Sequence, residues 1–382
     1  MTTGSTDPNL QRVIVSASDA TTDDVKVVIN GQSYAGWQDV RITRGIERLP
    51  SDFELRLTDI YAGEADALQI QAGDSCTVLI GGSVVVTGYI DVAEPSVDAR
   101  AHEITVQGRS KCADLVDCSA EWPGNQISGA NVLEVARKLA EPYGIDVDAA
   151  PGLAGFTIPV FSLMFGETPF DIIERLCRYS QLLAYDDQFG NLLLTRASRT
   201  DRAASGFREG FNVERARARF SMHDRFSEYR CYPNAFNTVQ ELGDAGFLRS
   251  SQADAGVRRH RMKVLISDGT GIGGQDVAAQ RAGWEASRRW GRSAQLRVTT
   301  DSWRDKAGAL YEPNTLVPVD IPSVKVTGKL WTISEVTYRK GEQGTHCDLV
   351  LMDPHAFDVP GEALQTGGPI ELSALPPNMG AR

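Results

Sequence analysis

The chain has 382 residues, too many for one ordinary domain, and its 42% hydrophobic and 23% charged content is typical of a globular protein that buries a core. Lysine and arginine total 39 against 50 aspartates and glutamates, and the net charge of −11 argues against a general nucleic-acid binder, which needs a basic face. No apolar run reaches membrane-spanning length. The first residues are polar and do not resemble a signal peptide, and the six cysteines are scattered, so we predict reduced thiols in a protein made in a cytoplasm.

Residues 1–24 are predicted to form an N-terminal arm, in which the apolar patch Val13-Ile14-Val15 is compatible with a short strand. From residue 25 onward the pattern changes to short alternating runs. Asn30-Gly31 is the commonest kind of two-residue hairpin turn, and Gly81-Gly82 marks another. Because such turns recur at short intervals, residues 25–110 are predicted to form a first small β-barrel domain.

Residues 111–208 have a different character and are predicted to form an inserted α+β module. Residues 131–140 have the apolar periodicity of a helix. A second helix is predicted over about 169–180, with Thr168 as its cap and a proline in its first turn. Two leucine-rich runs around Gly190-Asn191 then predict a hairpin.

The remaining chain is predicted to return to β structure. Residues 209–274 are read as connecting strands and loops, and the alternation of arginine and alanine over 215–222 indicates an edge strand with its arginines outward. A helix over 275–289 leads into a second β-barrel domain, assigned to 275–358. The proline- and glycine-rich residues 359–382 are predicted to be a tail.

An internal repeat supports the two β domains. The sequence SVVVTG at 83–88 returns as SVKVTG at 323–328, with five of six positions identical. Strand-like runs on either side recur in the same order, with 54–58 matched by 295–299 and 102–106 matched by 346–351. Because chance explains one short match more easily than a collinear series, we infer two copies of one β domain, with Val86 and Val326 in equivalent buried positions.

The strand that carries the repeat has a readable face pattern. Alternation predicts an inward side formed by Val86, Ile90, Val92, Val324, Val326 and Leu330. It predicts an outward side that includes Tyr89, Asp91, Lys329 and Trp331. Ile333 falls out of phase with this pattern, so an extra residue between Gly328 and Ile333 is expected to form a β-bulge.

Motifs that carry chemistry are scarce. Residues 269–274 fit G-x-G-x-x-G, but the following segment belongs to the β repeat and leaves no parallel sheet for a dinucleotide site, so a glycine-rich loop is the better interpretation. Cys112 and Cys118 lack a second ligand pair at zinc spacing. The sequence contains no G-x-S-x-G, H-E-x-x-H or Walker lysine. We therefore predict no catalytic residue, no cofactor and no metal site.

The organisation resembles the baseplate hub protein of Mu-like tailed bacteriophages, within the wider group of late control protein D and type VI secretion spike hubs. The resemblance covers most of residues 25–354, and its motifs are structural and diffuse. It is carried by the segments 27–31, 54–58, 81–93, 131–145, 169–195 and 295–352.

The resemblance implies a homotrimer whose six β domains form a ring that adapts a sixfold tail tube to a threefold central spike, with DNA passing through the bore. It implies four kinds of partner: other copies of the chain, the tail tube protein, the central spike protein, and baseplate wedge or tail-tip proteins. DNA in the bore is expected to pass without sequence-specific binding. The expected location is the tail baseplate of the virion, with the host cytoplasm during assembly. Tyr89, Asp91, Lys329 and Trp331 are the candidate assembly-contact residues.

Two other classes of function remain open at this point. One is a tail-associated enzyme, either a cell-wall hydrolase or a nucleotide-dependent enzyme, which needs acid, base or phosphate-binding groups that converge in one pocket. The other is a carbohydrate-binding adhesin built from β domains, for which exposed aromatics such as Tyr89 and Trp331 are the favourable sign. Neighbouring tube and spike genes would favour the hub, and a glycan-binding screen would identify the adhesin.

Overall fold

The computed structural model describes residues 13–14, 23–58, 70–98, 102–153, 158, 161–233, 250–267 and 274–358. The predicted tail and most of the predicted arm lie outside these residues. None of the helices in the described ranges is long and apolar enough to cross a membrane.

The first part of the chain folds into strands that are joined largely by tight turns and that, apart from the short first strand, pair antiparallel. These strands are β1 (Val13–Ile14), β2 (Val25–Ile29), β3 (Gln32–Ala35), β4 (Asp39–Gly45), β5 (Arg48–Thr58), β6 (Ser75–Ile80), β7 (Ser83–Val97) and β8 (His102–Ser110). The predicted hairpin turn between β2 and β3 is confirmed. Asn30 and Gly31 have φ values of 49° and 80°, the left-handed region that this turn requires.

The inserted module mixes helices with short strands around its own apolar core. Its elements are α1 (Ala113–Asp117), β9 (Gln126–Ile127), α2 (Val132–Ala140), β10 (Val147–Ala149), β11 (Phe161–Ser162), α3 (Pro169–Tyr179), β12 (Leu183–Asp186) and β13 (Leu192–Thr195). Asn131 and Thr168 begin α2 and α3 with capping boxes, in which each side chain accepts from an amide three residues on. Both predicted helices and the predicted hairpin are confirmed.

A connecting segment carries a small sheet packed on the longest helix. Its elements are β14 (Phe207–Arg208), β15 (Arg215–Phe220), β16 (Glu228–Pro233), β17 (Ser250–Ala253), β18 (Met262–Ser267) and α4 (Gly274–Arg292). The order of the small sheet is β17-β16-β18. Tyr229 and Cys231 of β16 are buried against Ala278 and Ala282 of α4.

The last part of the chain repeats the strand order of the first. Its strands are β19 (Ala294–Thr300), β20 (Leu316–Ile321), β21 (Val326–Gly341) and β22 (Gly344–Met352). The first copy has the order β6-β7-β8-β5-β4, and the second has β20-β21-β22-β19-β15. Five strands therefore correspond one to one, although β15 and β19 are separated by the small sheet and α4, whereas β4 and β5 form a hairpin.

Both copies belong to one sheet of 14 strands, because β4 of the first copy pairs with β21 of the second. One apolar core runs beneath both copies, from Val27 and Phe53 in the first to Val336 and Leu349 in the second. The prediction of a mainly β, multi-domain fold with an α+β insertion is confirmed.

The ladders correct the residue-by-residue match of the two copies. Ile90 opposes Gly108 just before a register shift on β7, and Ile333 opposes Leu351 just before the same shift on β21. Ile90 and Ile333 therefore correspond, whereas the sequence repeat matches Ile90 with Leu330. Val86 and Val326 are both buried, but their predicted equivalence is wrong by three residues. The shift on β7 also leaves Val92 41% exposed, against its predicted inward position.

Candidate assembly surface

One face of the large sheet packs into the core, and the opposite face carries charged side chains that pair across neighbouring strands. Arg41 on β4 lies 2.6 Å from the carboxylate of Asp52 on β5. Arg56 on β5 pairs with Asp39 on β4 and lies 3.5 Å from Glu103 on β8. The hydrogen bonds to Asp39 raise the pKa of Arg56 above its ordinary value. We call this surface the polar face.

The second copy continues the polar face with the same kind of pairing. Arg339 on β21 lies 2.6 Å from Asp348 on β22, whose carboxylate also accepts a 2.6 Å hydrogen bond from the hydroxyl of Thr299. Arg48 lies 3.7 Å from Glu335 and thereby links the two copies. Acids accompany the arginines that β4, β5 and β21 carry on this face, so the charges on that part of it are locally compensated rather than uniformly of one sign.

The two copies meet in a ladder that we call the seam, which pairs Val40–Gly45 of β4 with Glu335–Lys340 of β21. On the polar face, the hydroxyl of Thr337 donates to that of Thr43 over 3.3 Å. On the core face, Ile42 and Tyr338 are fully buried. The seam is therefore a regular antiparallel contact, apolar on one side and polar on the other, between domains of one chain.

Two of the strand edges that lack a ladder partner in the described part of the chain lie on the two β copies. β15 ends the strand order of the large sheet, and we call its outer side the arginine edge. On β7, residues 92–97 pair with β8 on one side only, and we call their other side the β7 edge. Unpaired edges of this kind are the places where a sheet can accept another chain.

Three of the four candidate contact residues are accessible. Tyr89 is half-buried and Asp91 is exposed, and both lie beside Arg109 in a shallow cleft of the first copy. Arg109 lies 2.6 Å from Asp91 and 2.8 Å from Asp117, and these hydrogen bonds raise its pKa. Lys329 is exposed on the second copy. The structure thus groups Tyr89 with Asp91, and their role in assembly stays a prediction.

The prediction that Trp331 faces outward is wrong. Its side chain belongs to the apolar core and is 5% exposed, whereas Leu330 is only half-buried. The reason is an extra residue in β21 opposite the stretch from Val319 to Ile321, where Gly328 has φ 60°. A bulge reverses the alternation beyond it, so the predicted inward and outward sides exchange. The expected bulge is present, but it begins earlier in the strand.

The seam residues were not among the candidates drawn from sequence. Thr43 and Tyr338 sit in ordinary alternating strands, and nothing in their local pattern distinguishes them. A usable signal is strand length, because β21 has 16 residues whereas its partner β20 has six. The part of β21 that extends beyond β20 has unpaired backbone groups on that side, and another strand is needed to pair with them.

The structure adds little reactive chemistry. Burial raises the pKa of the Cys76 thiol to about 12, and that of Cys177 likewise to about 12, so neither thiol ionises readily. Nδ1 of His346 lies 2.7 Å from the carboxylate of Glu214 at the surface. Over the described ranges, no three His, Cys, Asp or Glu side chains are grouped as metal ligands would be. The G-x-G-x-x-G motif lies outside the described residues except for Gly274.

Comparison with known proteins gives one consistent answer. The family model for the N-terminal part of the Mu phage baseplate assembly protein GpP-like matches residues 24–110. The model for the second domain of the baseplate hub protein gp44-like matches 112–196, and that for the fourth domain of Mu GpP matches 274–360. These matches define the class as structural proteins of phage tail baseplates.

Whole-chain relatives agree with the family models. The baseplate hub protein gp44 of Escherichia phage Mu is 31% identical over 342 residues, which cover 87% of this chain and 89% of the relative. The 43 kDa tail protein of prophage MuSo2 from Shewanella oneidensis has a TM-score of 0.78 at 31% identity, covering 88% of this chain and all of that one. A tail protein from Neisseria meningitidis MC58, at 19% identity and TM-score 0.74, shares the fold, with 90% and 99% coverage. The chain belongs to the family of Mu-like phage baseplate hub proteins.

Proposed function

We propose that three copies of the chain form a hub ring with six β domains around a central bore. The observation that carries this proposal is the seam, which joins two copies of the same five-strand unit edge to edge within one chain. The seam is a head-to-tail contact, because β4 of one copy meets the strand that corresponds to β7 in the other. Head-to-tail contacts close into rings when their rotation permits.

We further propose that the ring joins the tail tube protein to the central spike protein and contacts baseplate wedge or tail-tip proteins. A ring with sixfold-like domains and true threefold symmetry fits partners of both symmetries. Its domains would lie at 25–110, 111–208 and 275–358, with the arm at 1–24, the connecting segment at 209–274 and the tail at 359–382. Assembly would take place in the host cytoplasm before the protein reaches the virion.

The polar face is the surface that we assign to the bore, because the opposite face of the sheet is occupied by the core. Its ion pairs, such as Arg41 with Asp52 and Arg339 with Asp348, neutralise arginines that would otherwise hold phosphates. Retention of DNA by a basic lining depends on unneutralised lysine and arginine. A compensated lining lets DNA slide past without being held.

We infer a structural role without catalysis. The relatives carry the names of baseplate and tail proteins. The most deeply buried carboxylate in the described chain, Asp186, is held by the backbone and hydroxyl of Ser51 inside the protein rather than in a cleft. The adhesin alternative loses support because Trp331, one of the two aromatics that suggested it, is buried.

The test is the copy number in assembled tail tips, measured by cryo-electron microscopy of the tip without imposed symmetry and by quantitative mass spectrometry against the tube protein. We expect three copies of the chain, arranged with six similar β units around the axis. One copy or six copies per tip would contradict the ring. Mass measurement of the isolated chain alone is less informative, because tube and spike contacts contribute to assembly.

A further inference from the structure

The seam has a counterpart, because its two halves recur as two strand edges that lack a ladder partner among the described residues. In the seam, β4 contributes the outer strand of the first copy, and β15 is the corresponding strand of the second copy. The seam's other half is residues 335–340 of β21, which correspond to residues 92–97 of β7 because Ile333 corresponds to Ile90. The arginine edge and the β7 edge are therefore the same pair of surfaces that already meet once inside the chain.

The ladders fix the register of this counterpart. In the first copy, Phe53 of β5 opposes Gly108 of β8 on one side and Ile42 of β4 on the other. In the second copy, Leu296 of β19 opposes Leu351 of β22 on one side and Ala218 of β15 on the other. Ile42 therefore corresponds to Ala218. Since Tyr338 opposes Ile42 in the seam, and Tyr338 corresponds to Pro95, the counterpart places Pro95 opposite Ala218.

We propose that β15 of one subunit pairs antiparallel with residues 92–97 of β7 in the next subunit. This proposal rests on the ring proposed above and identifies its closing contact. In the register just derived, Glu94 faces Arg219 and Ser96 faces Arg217, all on the polar face. On the core face the opposing pairs are Ala93 with Phe220, Pro95 with Ala218 and Val97 with Ala216.

The exposed apolar surface of both edges supports this partner. Phe220 is 57% exposed and Val97 is 71% exposed in the isolated chain. Ala93 and Ala218 already pack against the margin of the core. Pairing in this register would place apolar side chains opposite apolar ones on the whole core face, as Ile42 and Tyr338 are placed in the seam.

The charged side chains of the two edges support the proposed pairing of β15 with β7 independently. In the first copy, Arg41 of β4 has Asp52 beside it on β5. In the second copy, the position of Asp52 is taken by Gln295, and β19 presents Arg297 instead of an acid opposite Arg217. Over the described residues, neither Arg217 nor Arg219 has an ion-pair partner, and the proposed register brings Glu94 of the neighbouring subunit opposite Arg219.

The same charges exclude the symmetric alternatives. If β15 paired with β15 of another copy, arginines would face arginines, and two β7 edges paired with each other would provide no arginine opposite Glu94. Like charges directly opposite each other destabilise a strand pair. Pro95 lacks an amide hydrogen, which edge strands tolerate and which weakens pairing with unrelated strands. The contact is therefore head-to-tail, the kind that builds a ring.

The first test is a disulfide across the proposed ladder. Directly opposite residues of antiparallel strands have Cα atoms about 4.5–5.5 Å apart, within the range of a disulfide, whereas diagonal residues are about 7–8 Å apart. In tail tips that contain Glu94→Cys/Arg219→Cys, we expect covalent dimers and trimers on non-reducing gels. Each single variant and the diagonal pair Glu94→Cys/Arg217→Cys serve as controls and should yield mainly monomer.

The second test reverses the charges. Glu94→Arg or Arg219→Glu should each lower incorporation into tail tips roughly tenfold or more, because like charges then meet at three contacts, and the double variant should restore it. Asp148→Arg, an equal charge change on an exposed residue of β10, should have no effect. Three copies per tip with no Glu94–Arg219 crosslink, or a crosslink in the diagonal pair instead, would overturn this contact and leave the ring standing. A copy number other than three would overturn the ring itself.

Discussion

The side chain of Asp186 is a buried link between the inserted module and the large sheet. It is 2% exposed, and its two oxygens accept hydrogen bonds of 2.8 Å from the backbone amide and from the hydroxyl of Ser51 on β5. Burial raises its pKa above the ordinary value, and the hydrogen bonds from Ser51 act in the opposite direction. The carboxylate thus loses hydration in order to hold two parts of the fold together.

Replacing Asp186 tests this link. Asp186→Ala leaves the buried amide of Ser51 unsatisfied and should lower the free energy of unfolding by about 1–3 kcal/mol, measured by urea denaturation, whereas Asp186→Asn keeps one acceptor and should cost less. Because burial raises the folded-state pKa, the folded protein takes up a proton more readily than the unfolded chain. The stability of wild type relative to Asp186→Asn should therefore increase as the pH falls from 7 through that raised pKa. A difference that stays flat with pH would show that the carboxylate does not titrate as proposed.

At the scale of elements, local sequence signals are sufficient to predict the helices of the inserted module, but they are insufficient to predict which residues of neighbouring strands oppose each other. The apolar periodicity of residues 131–140 predicts α2, and Thr168 followed by a proline predicts the start of α3, because each of these signals lies within a few neighbouring residues. A bulge is different, since alternation does not reveal which residue is extra until the opposing strand is known. This is why the alternation wrongly predicts that Trp331 faces outward, and why the sequence repeat wrongly matches Val86 with Val326. The seam joins β4 to β21, nearly the whole chain apart, and no local pattern encodes that pairing.

The two glycines that the repeat aligns should therefore respond differently to substitution. A Cβ at Gly88 would lie 1.9 Å from the carbonyl oxygen of Arg109, so Gly88→Ala forces β7 and β8 apart and should cost about 1–3 kcal/mol or more. A Cβ at Gly328 meets nothing within 4 Å, and only its positive φ opposes Gly328→Ala, at about 1 kcal/mol. Urea midpoints of the two variants, measured side by side, decide the matter. Equal losses would mean that these glycines occupy equivalent places after all.

At the scale of the whole molecule, the net charge of −11 does not by itself determine whether DNA can pass through the proposed bore. The polar face carries many arginines, and its suitability for DNA passage depends on how closely acids such as Asp39 and Asp52 accompany them. Total charge was readable from the sequence, but the pairing was not, because it depends on which strands become neighbours. Only the ladders show that Arg56 lies between acids of two different strands.

This compensation can be removed and the effect on DNA measured. The assembled ring should not retain double-stranded DNA on a filter at physiological salt. Glu54→Lys/Glu103→Lys, which removes one of the two acids beside each of Arg41 and Arg56 and adds two lysines to the polar face, should produce binding that falls steeply with added salt. Glu141→Lys/Asp148→Lys makes the same change of charge on the inserted module and is the matched control. Tight binding by the wild-type ring would mean that another, basic surface lines the bore.

The long-range seam also has a consequence during synthesis. Gly45 of β4 leaves the ribosome 290 residues before its partner Glu335, which at ordinary rates of translation is a delay of about 15–60 s. For that time the first copy can fold but carries an uncapped strand, a ready template for any nascent neighbour on the same message. Every chain on a polysome exposes the same β4 and later makes the same β21. Pairing of β4 of one chain with β21 of another therefore competes with the pairing of the two strands within one chain. We therefore expect strand exchange between nascent chains to decrease when fewer ribosomes translate the same message at once.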